Sequence, residues 1–483
     1  MQKKPSRFAP TIYWHDYETF GANPKKDRPV QFAGIRTDED LNIIGEPLVI
    51  YAKPADDYLP DPVACMVTGI SPQLAEKEGK PETEFMAQIL KEFSRPNSCV
   101  SGYNNIRFDD EFTRYSLYRN LYDPYAREWQ NGNSRWDIID LVRVTNALRP
   151  EGINWPEHEN GLPSFRLEDL TVANGISHES AHDALSDVEA TIAIAKLIKQ
   201  KQPKLYDYVF NNRNKRVLAN MLDMEMLKPV LHTSSMFPAE YHCTTLVVPL
   251  IQHPRNSNGI VVYDLRHDPQ ELLDLTTEQI RQRLYTKTED LAEGESRIAL
   301  KTIHLNKCPI IVPAKVDEKT EQRLKLDKAA CQKHLQQIRD SVALQVKLVE
   351  VFDDNPFDGE TDPDFCLYGG SFFSDHDKNL MAKIHKLDPF QLAEKSFDFQ
   401  DERLDKMLFR YRARNYPESL LENEKETWQE FCQHRLCDDD SPNTMNLNCY
   451  RQSINELLTN EDLSEDKIQL LKQLRSYGEQ KTL

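Results

Sequence analysis

Apolar and aromatic positions gather early in the chain into four short strand-like runs: "TIYWHDYET" (11–19), "VQFAGIRT" (30–37), "PLVIYAK" (47–53) and "NSCVSGYN" (97–104). β-Branched and aromatic residues dominate them, and turn formers separate them. Helix-like runs such as "PETEFMAQILKEF" (81–93) lie between or after the strands. The stretch "DALSDVEATIAIAKLIKQKQ" (183–202) spaces Ala184, Leu185, Val188, Ile192 and Ala195 at a helical period, and Gln202–Pro203 ends it. Three strands followed by helices alternating with strands predict an α/β domain, a mixed sheet flanked by helices.

Beyond 203 the texture changes. A helical start, "LYDYVFNNRNKRVLANML" (205–222), precedes short β-like pieces: "TTLVVPLIQ", "GIVVYDL", "IALKTIHL" and "CPIIVPA". Their turn-separated spacing predicts a small barrel with helical insertions. The acidic, Pro- and Gly-bearing stretch 353–371 is expected to be a linker. Nearly everything beyond it has a helical pattern, as in "DERLDKMLFRYRARN", "NEKETWQEFCQHRL" and "SEDKIQLLKQLRSYG". The expected domains are 1–202, 203–354 and 355–483, with an all-α last domain.

Composition narrows the classes. The chain has 483 residues, 39% of them hydrophobic, enough for several packed cores, and no apolar run reaches membrane-spanning length. "MQKKPSRFAP" lacks the apolar core of a secretory signal, so a cytoplasmic protein is expected. Nine cysteines without a CxxC pair point to thiols in a reducing compartment rather than a zinc site. The net charge of −18 opposes a general nucleic-acid coat but leaves room for a local basic channel. Lys199, Lys201, Lys204, Arg213, Lys215, Arg216 and Lys228 concentrate positive charge between 199 and 228.

The first strand carries the sharpest chemistry. Asp16 and Glu18 stand two positions apart, so both point to one face. Two carboxylates about 4 Å apart repel by on the order of 4 kcal/mol at an effective dielectric near 20. A cation would relieve this, and further ligands are at hand: Asp109 in "GYNNIRFDDEF", Asp187 in "SAHDALSDVEAT", and His182 five residues before Asp187. Mg²⁺ takes a few carboxylates plus substrate phosphate. Two such ions about 3.5–4 Å apart support both oxygens of an in-line phosphoryl displacement. A histidine can accept the proton near neutral pH. Alone, each acid reads as a solvated or capping residue; their order and context carry the reading. Asp110 and Asp183, beside motif acids, are assigned structural or capping roles.

That order resembles the DEDDh branch of the DnaQ-like 3′→5′ exonucleases, whose fold is RNase H-like. Its three motifs match Asp16–Glu18–Thr19, Asn105 to Asp109, and His182 to Asp187. Longer stretches, among them "GLPSFRLEDLTVANGI", "NKCPI" and "LFRYRARNYP", are similar to the bacterial exodeoxyribonuclease I family. The resemblance implies an exonuclease domain, an SH3-like barrel and a helical C-terminal domain. It implies processive, Mg²⁺-dependent release of 5′-mononucleotides from 3′ ends of single-stranded DNA, with two ions per site and Mn²⁺ as a substitute. Asp16, Glu18, Asp109 and Asp187 would hold the metal, and His182 would be the general base.

A single strand needs stacking platforms and cations. Glu18, Thr19, Arg114, Tyr125, Trp129, Arg143, Phe165 and Arg166 are candidate substrate contacts, a share of the aromatics being expected in the core. Lys215, Asn258, Lys301 and Tyr368 match the family's channel over the strand. Arg149, Tyr208 and Arg339 match its docking surface for the C-terminal tail of the single-stranded DNA-binding protein. The stretch 312–322 departs from the family and lacks one docking arginine, with Lys315 and Lys319 as candidate substitutes. The expectation is a monomer acting in repair and recombination on nucleoid DNA, without membrane contact. Alternatives are an RNA-trimming or proofreading exonuclease and a non-catalytic DNA-binding scaffold.

Overall fold

The computed structural model describes residues 9–178, 183–353 and 359–481. His182 and the 354/355 border lie outside the described residues. Two compact units emerge. The first takes the described residues of Met1–Ser134, His178–Glu189 and Asp358–Leu483, the second those of Arg135–Ser177 and Ala190–Phe357.

In the first unit, β1 (Thr11–Thr19), β2 (Pro29–Thr37), β3 (Leu48–Tyr51) and β4 (Ser98–Gly102) stand in the order β3-β2-β1-β4. β1 runs antiparallel to β2 and parallel to β4, which makes it central and buried. Its alternation decides the function of each face. Tyr13 and Tyr17 enter a core with Phe32, Phe85, Met86, Ile89, Phe93 and Val100, to which the helix Glu82–Phe93 contributes. Each fully buried large apolar side chain there stabilises by roughly 1.5–3 kcal/mol. The opposite face presents Trp14, Asp16 and Glu18, with Trp14 Nε1 donating to Thr37 Oγ1 at 2.9 Å. The β1–β2 register slips between Glu18 and Thr19, bending the strand where the acids end.

The C-terminal helices Leu447–Leu457 and Glu465–Gln480 share a core with the N-terminal part of this unit. Tyr450, Leu471, Leu474 and Tyr477 pack with Phe20, Tyr58 and Leu59. The expectation of a linker at 353–371 needs correction over its described part from 359. Pro363–Phe365 forms a short 3-10 turn whose three residues are buried. Arginines explain this: Arg414 reaches Asp364 at 2.6 Å, while Arg410 and Arg435 each reach Asp362 at 2.6 Å.

β5 (Ser134–Asp137) leads into the helix Ile138–Leu148, which Asp137 caps by accepting from Ile139 N at 3.1 Å. The second unit contains an antiparallel sheet of β6 (Val230–Thr233), β7 (Thr244–Gln252), β8 (Gly259–Asp264), β9 (Leu300–His304) and β10 (Ile310–Pro313). The strand order is β10-β6-β7-β8-β9. Val230, Val247, Ile260, Val262, Ile303 and Ile311 form its core with Leu218 and Leu222. The helical run expected at 205–222 is two helices, Pro203–Asn211 and Lys215–Met221. Asn214 starts the second by accepting from Arg216 N, so a cap overrides the continuous pattern. Among the described residues no helix is long and apolar enough to cross a membrane.

Candidate active site

β1 supplies Asp16 and Glu18 directly. Asp109 arrives through the turn after β4. A Cβ on Gly102 would stand 2.6 Å from His15 O, so only glycine lets β4 end this close to β1. Asn105, fully buried, then shapes the turn: its Oδ1 accepts from Gly102 N at 3.1 Å, and its carbonyl accepts from Asp110 N at 2.8 Å. The helix Asp109–Arg119 starts there, with Asp109 as its first residue. Tyr17 N donates to Asp109 Oδ1 at 3.1 Å, joining the second motif to the first. Asp110 turns inward to Arg127 Nη2 at 2.7 Å with both side chains fully buried, the structural role expected of it.

Asp183 caps the helix Ala184–Lys201, accepting from Ser186 N at 3.2 Å, and Asp187 follows in its first turn. Asp187 Oδ1 shares a 2.5 Å hydrogen bond with His178 Nε2. His178 is a site residue that sequence reasoning overlooked. It lies four positions before His182, outside the motif that begins there, and its contact with Asp187 is made only in the folded chain.

Asp16, Glu18 and Asp187 each offer a carboxylate oxygen within 4.8 Å of the others. Burial, then Asp109, Glu18 and Asp187, raise the Asp16 carboxyl well above its ordinary range. Burial, then Asp187, Asp109 and Asp183, push Glu18 up to about 8. Among the described residues no lysine or arginine forms an ion pair with Asp16 or Glu18. An all-carboxylate set that repels itself fits a hard divalent cation such as Mg²⁺ or Mn²⁺.

The remaining candidates fall into several groups. Thr19 is buried and donates from Oγ1 to Gly21 O at 2.7 Å, at the end of the acid-bearing strand. Arg114 is buried, with Nε and Nη2 on Glu128 at 2.8 and 3.0 Å and Nη1 on Glu111 and on the Tyr368 hydroxyl. The Arg114 guanidinium also lies over the ring of Tyr125, so Arg114, Tyr125 and Tyr368 form one assembly. Trp129 is 66% exposed, open to stacking. In the second unit Arg143 bonds Asp140 at 2.7 Å and lies over Phe165, while Arg166 is exposed at the start of the helix Leu167–Ala173. Lys215 Nζ donates to Asn258 Oδ1 at 2.8 Å, which brings two channel candidates together. Lys301 lies over the Phe237 ring. Exposed Arg149 donates to Leu148 O, Tyr208 to Ile311 O, and exposed Arg339 to the carbonyls of Met226 and Leu227.

Family models match along the chain: "Exonuclease" over residues 13–195, "Exonuclease I SH3-like domain" over 213–354, and "Exonuclease I C-terminal domain" over 361–481. Exodeoxyribonuclease I of Haemophilus influenzae is 46% identical across 97% of this chain and 98% of its own length. The chain belongs to the exodeoxyribonuclease I family. A crystal structure of Escherichia coli exonuclease I in complex with a dA16 oligonucleotide matches with a TM-score of 0.94 at 45% identity, covering 98% of this chain and 100% of that one. A zinc-ion-bound form of the Escherichia coli exonuclease I complex with single-stranded DNA matches with a TM-score of 0.94 at 44% identity, covering 99% and 100%. The fold is therefore an RNase H-like exonuclease domain, an SH3-like domain and a helical C-terminal domain. The protein is a nuclease, a hydrolase whose exonuclease domain uses divalent metal.

Proposed function

We propose that this member of the exodeoxyribonuclease I family removes nucleotides processively from the 3′ ends of single-stranded DNA, releasing 5′-mononucleotides, in repair and recombination. The observation that carries the reading is the gathering of the carboxylates of Asp16, Glu18 and Asp187 within 4.8 Å of one another, Glu18 buried and the other two half-buried. Divalent ions, two Mg²⁺ in our proposal with Mn²⁺ able to replace them, neutralise charge on the phosphodiester and favour ionisation of water when bound. Asp16, Glu18, Asp109 and Asp187 hold them, and His178 keeps one oxygen of Asp187 in place. His182 takes the proton of the attacking water on an imidazole nitrogen. The water oxygen bonds to phosphorus as the bond from phosphorus to the 3′ oxygen of the neighbouring nucleotide breaks, and that oxygen takes a proton from solvent to leave as a 3′-hydroxyl.

Trp129, Phe165 and Tyr125 offer stacking faces, and Arg143, Arg166, Lys215 and Lys301 offer cations to the backbone, with Thr19 and Asn258 as polar contacts. Arg114 and Tyr368 border that path. Three domains, divided at 202/203 and 354/355, belong to this reading, as does processive action by a monomer despite its net negative charge. Arg149, Tyr208 and Arg339 would receive the C-terminal tail of the single-stranded DNA-binding protein, with Lys315 or Lys319 in place of a missing arginine. The protein would work in the bacterial cytoplasm, held at the nucleoid by DNA.

The test is a 3′-labelled single strand given with Mg²⁺ and then with EDTA. Label is expected as mononucleotide in the first case and to stay in the strand in the second. Cleavage from a 5′ end, or undiminished cleavage in EDTA, overturns the reading. A matched ribo-oligonucleotide separates it from an RNA-trimming activity.

A further inference from the structure

The helix that begins with Asp109 is gripped on two sides. Below it, Tyr17 N bonds Asp109 Oδ1 at 3.1 Å, and the hydroxyls of Thr113 and Tyr17 meet at 3.0 Å. Its other side faces 359–373. Tyr118 donates to Pro363 O at 2.9 Å and stacks on Phe373 with ring centroids 5.7 Å apart. Tyr115 meets Tyr368 edge-on at 5.8 Å.

Glu111 closes this grip at the helix start. One of its carboxylate oxygens accepts from Arg114 Nη1 at 2.8 Å, the other from the Tyr368 hydroxyl at 2.5 Å, and Arg114 also donates to that hydroxyl at 3.0 Å. The result is a closed triangle two residues after Asp109, in the first helical turn, where a carboxylate also complements the helix dipole. Charge-assisted hydrogen bonds of this kind are short and directional. The Glu111 side chain is only 15% exposed, so water replaces its partners poorly.

We propose that Glu111 is a positioning residue: through Tyr368 and Arg114 it fixes the start of the Asp109 helix, and so places the Asp109 carboxylate for metal binding. The inference rests on the proposed metal role of Asp109, but assigns a new task to Glu111 and a second one to Tyr368. A hydroxyl from 257 residues away in sequence thereby sets the geometry of a metal ligand.

The experiment compares wild type with Glu111→Ala, Glu111→Gln and Tyr368→Phe. Mn²⁺ binding is read by the loss of the free-ion electron paramagnetic resonance signal, without DNA; kcat and KM on a single-stranded oligonucleotide, and thermal midpoints, are read separately. Glu111→Ala and Tyr368→Phe are expected to weaken Mn²⁺ binding about 5- to 10-fold and lower kcat about 10-fold, with KM changed less than about 2-fold. Glu111→Gln keeps an acceptor for Arg114 and is expected to recover most of the loss. Overturning results are wild-type Mn²⁺ affinity in folded Glu111→Ala, or a Tyr368→Phe effect confined to KM, which would make the tyrosine a strand contact alone. If wild type itself neither binds Mn²⁺ nor needs metal to cut, the proposed function fails instead.

Discussion

Asp16, Glu18 and Asp187 are gathered against one another, whereas Asp57, Glu82 and Asp364 in the same unit are each gathered against arginine. Asp57 and Asp364 are 1% and 2% exposed and share Arg414, at 2.7 and 2.6 Å. Glu82 takes Arg119 through two nitrogens and Asn120 through a third donor. Burial by itself would push all these carboxyls up. Arg414 and Arg28 reverse it for Asp57, and Arg119 and Arg28 for Glu82, so that both come to about 2. At the cluster, burial and mutual repulsion act in the same direction, and Glu18 is at about 8. The paired acids are neutralised by the chain's own arginines; Asp187 takes the ring of His178, whereas Asp16 and Glu18, beside which no lysine or arginine forms an ion pair among the described residues, are neutralised by a proton or an added cation. Buried carboxyls crowded by other carboxyls, as Asp16 and Glu18 are, mark a place suited to an added cation.

Substitution separates the two sets most sharply. Asp16→Asn is expected to lower kcat about 10⁴-fold, roughly 5 kcal/mol of transition-state stabilisation, while leaving the metal-free thermal midpoint unchanged or higher. A fall in both would make Asp16 a structural acid. Metal removal should expose the cluster's cost through pH. Glu18 binds its proton more tightly folded than unfolded, so metal-free stability falls as pH rises from about 4.5 through about 8, by up to about 5 kcal/mol. Saturating Mg²⁺ should flatten that fall in a thermal melt series between pH 5 and 8.5; parallel curves with and without metal would sink the comparison.

The paired set should behave oppositely. Arg414→Ala strands Asp57 and Asp364, and urea unfolding should show a loss of about 3–5 kcal/mol. Asp57 and Glu82 have depressed folded values, so their contribution is full above about 4.5 and disappears as pH falls toward about 2, on the order of 2–3 kcal/mol for each. Unfolding at pH 5 and at pH 2.5 measures it. The smallest effect is expected from Lys25→Ala, whose partner Glu360 is partly open to water: less than about 1 kcal/mol in the same urea assay. A larger loss would mean that pairing, and not burial, sets the energy.

Much of the first unit was legible because it is local. β1 follows its run from 11 to 19 without error, and the helix Ala184–Lys201 lies within its apolar period. β5 and β6 escaped notice, being four residues each and lacking a periodicity of their own. The acids were legible through motif order. The fate of Arg114 was not: as a sequence position it reads as a cation for DNA, but Glu111, Glu128 and Tyr368 surround it. The stretch near 362 read as a linker because its acids and proline favour solvent, until arginines some 50 to 70 residues later buried them.

What the sequence by itself determined is whatever a short repeat distance encodes. A strand's two-residue period puts Asp16 and Glu18 on one face, and a helical period puts Asp187 one turn into its helix. Tertiary structure alone decided which carboxylates meet an arginine and which are crowded by other carboxylates. Coulomb energy and desolvation depend on distance in space and on the water excluded there, and residues such as Asp57 and Arg414, 357 positions apart, acquire both only when the chain has folded.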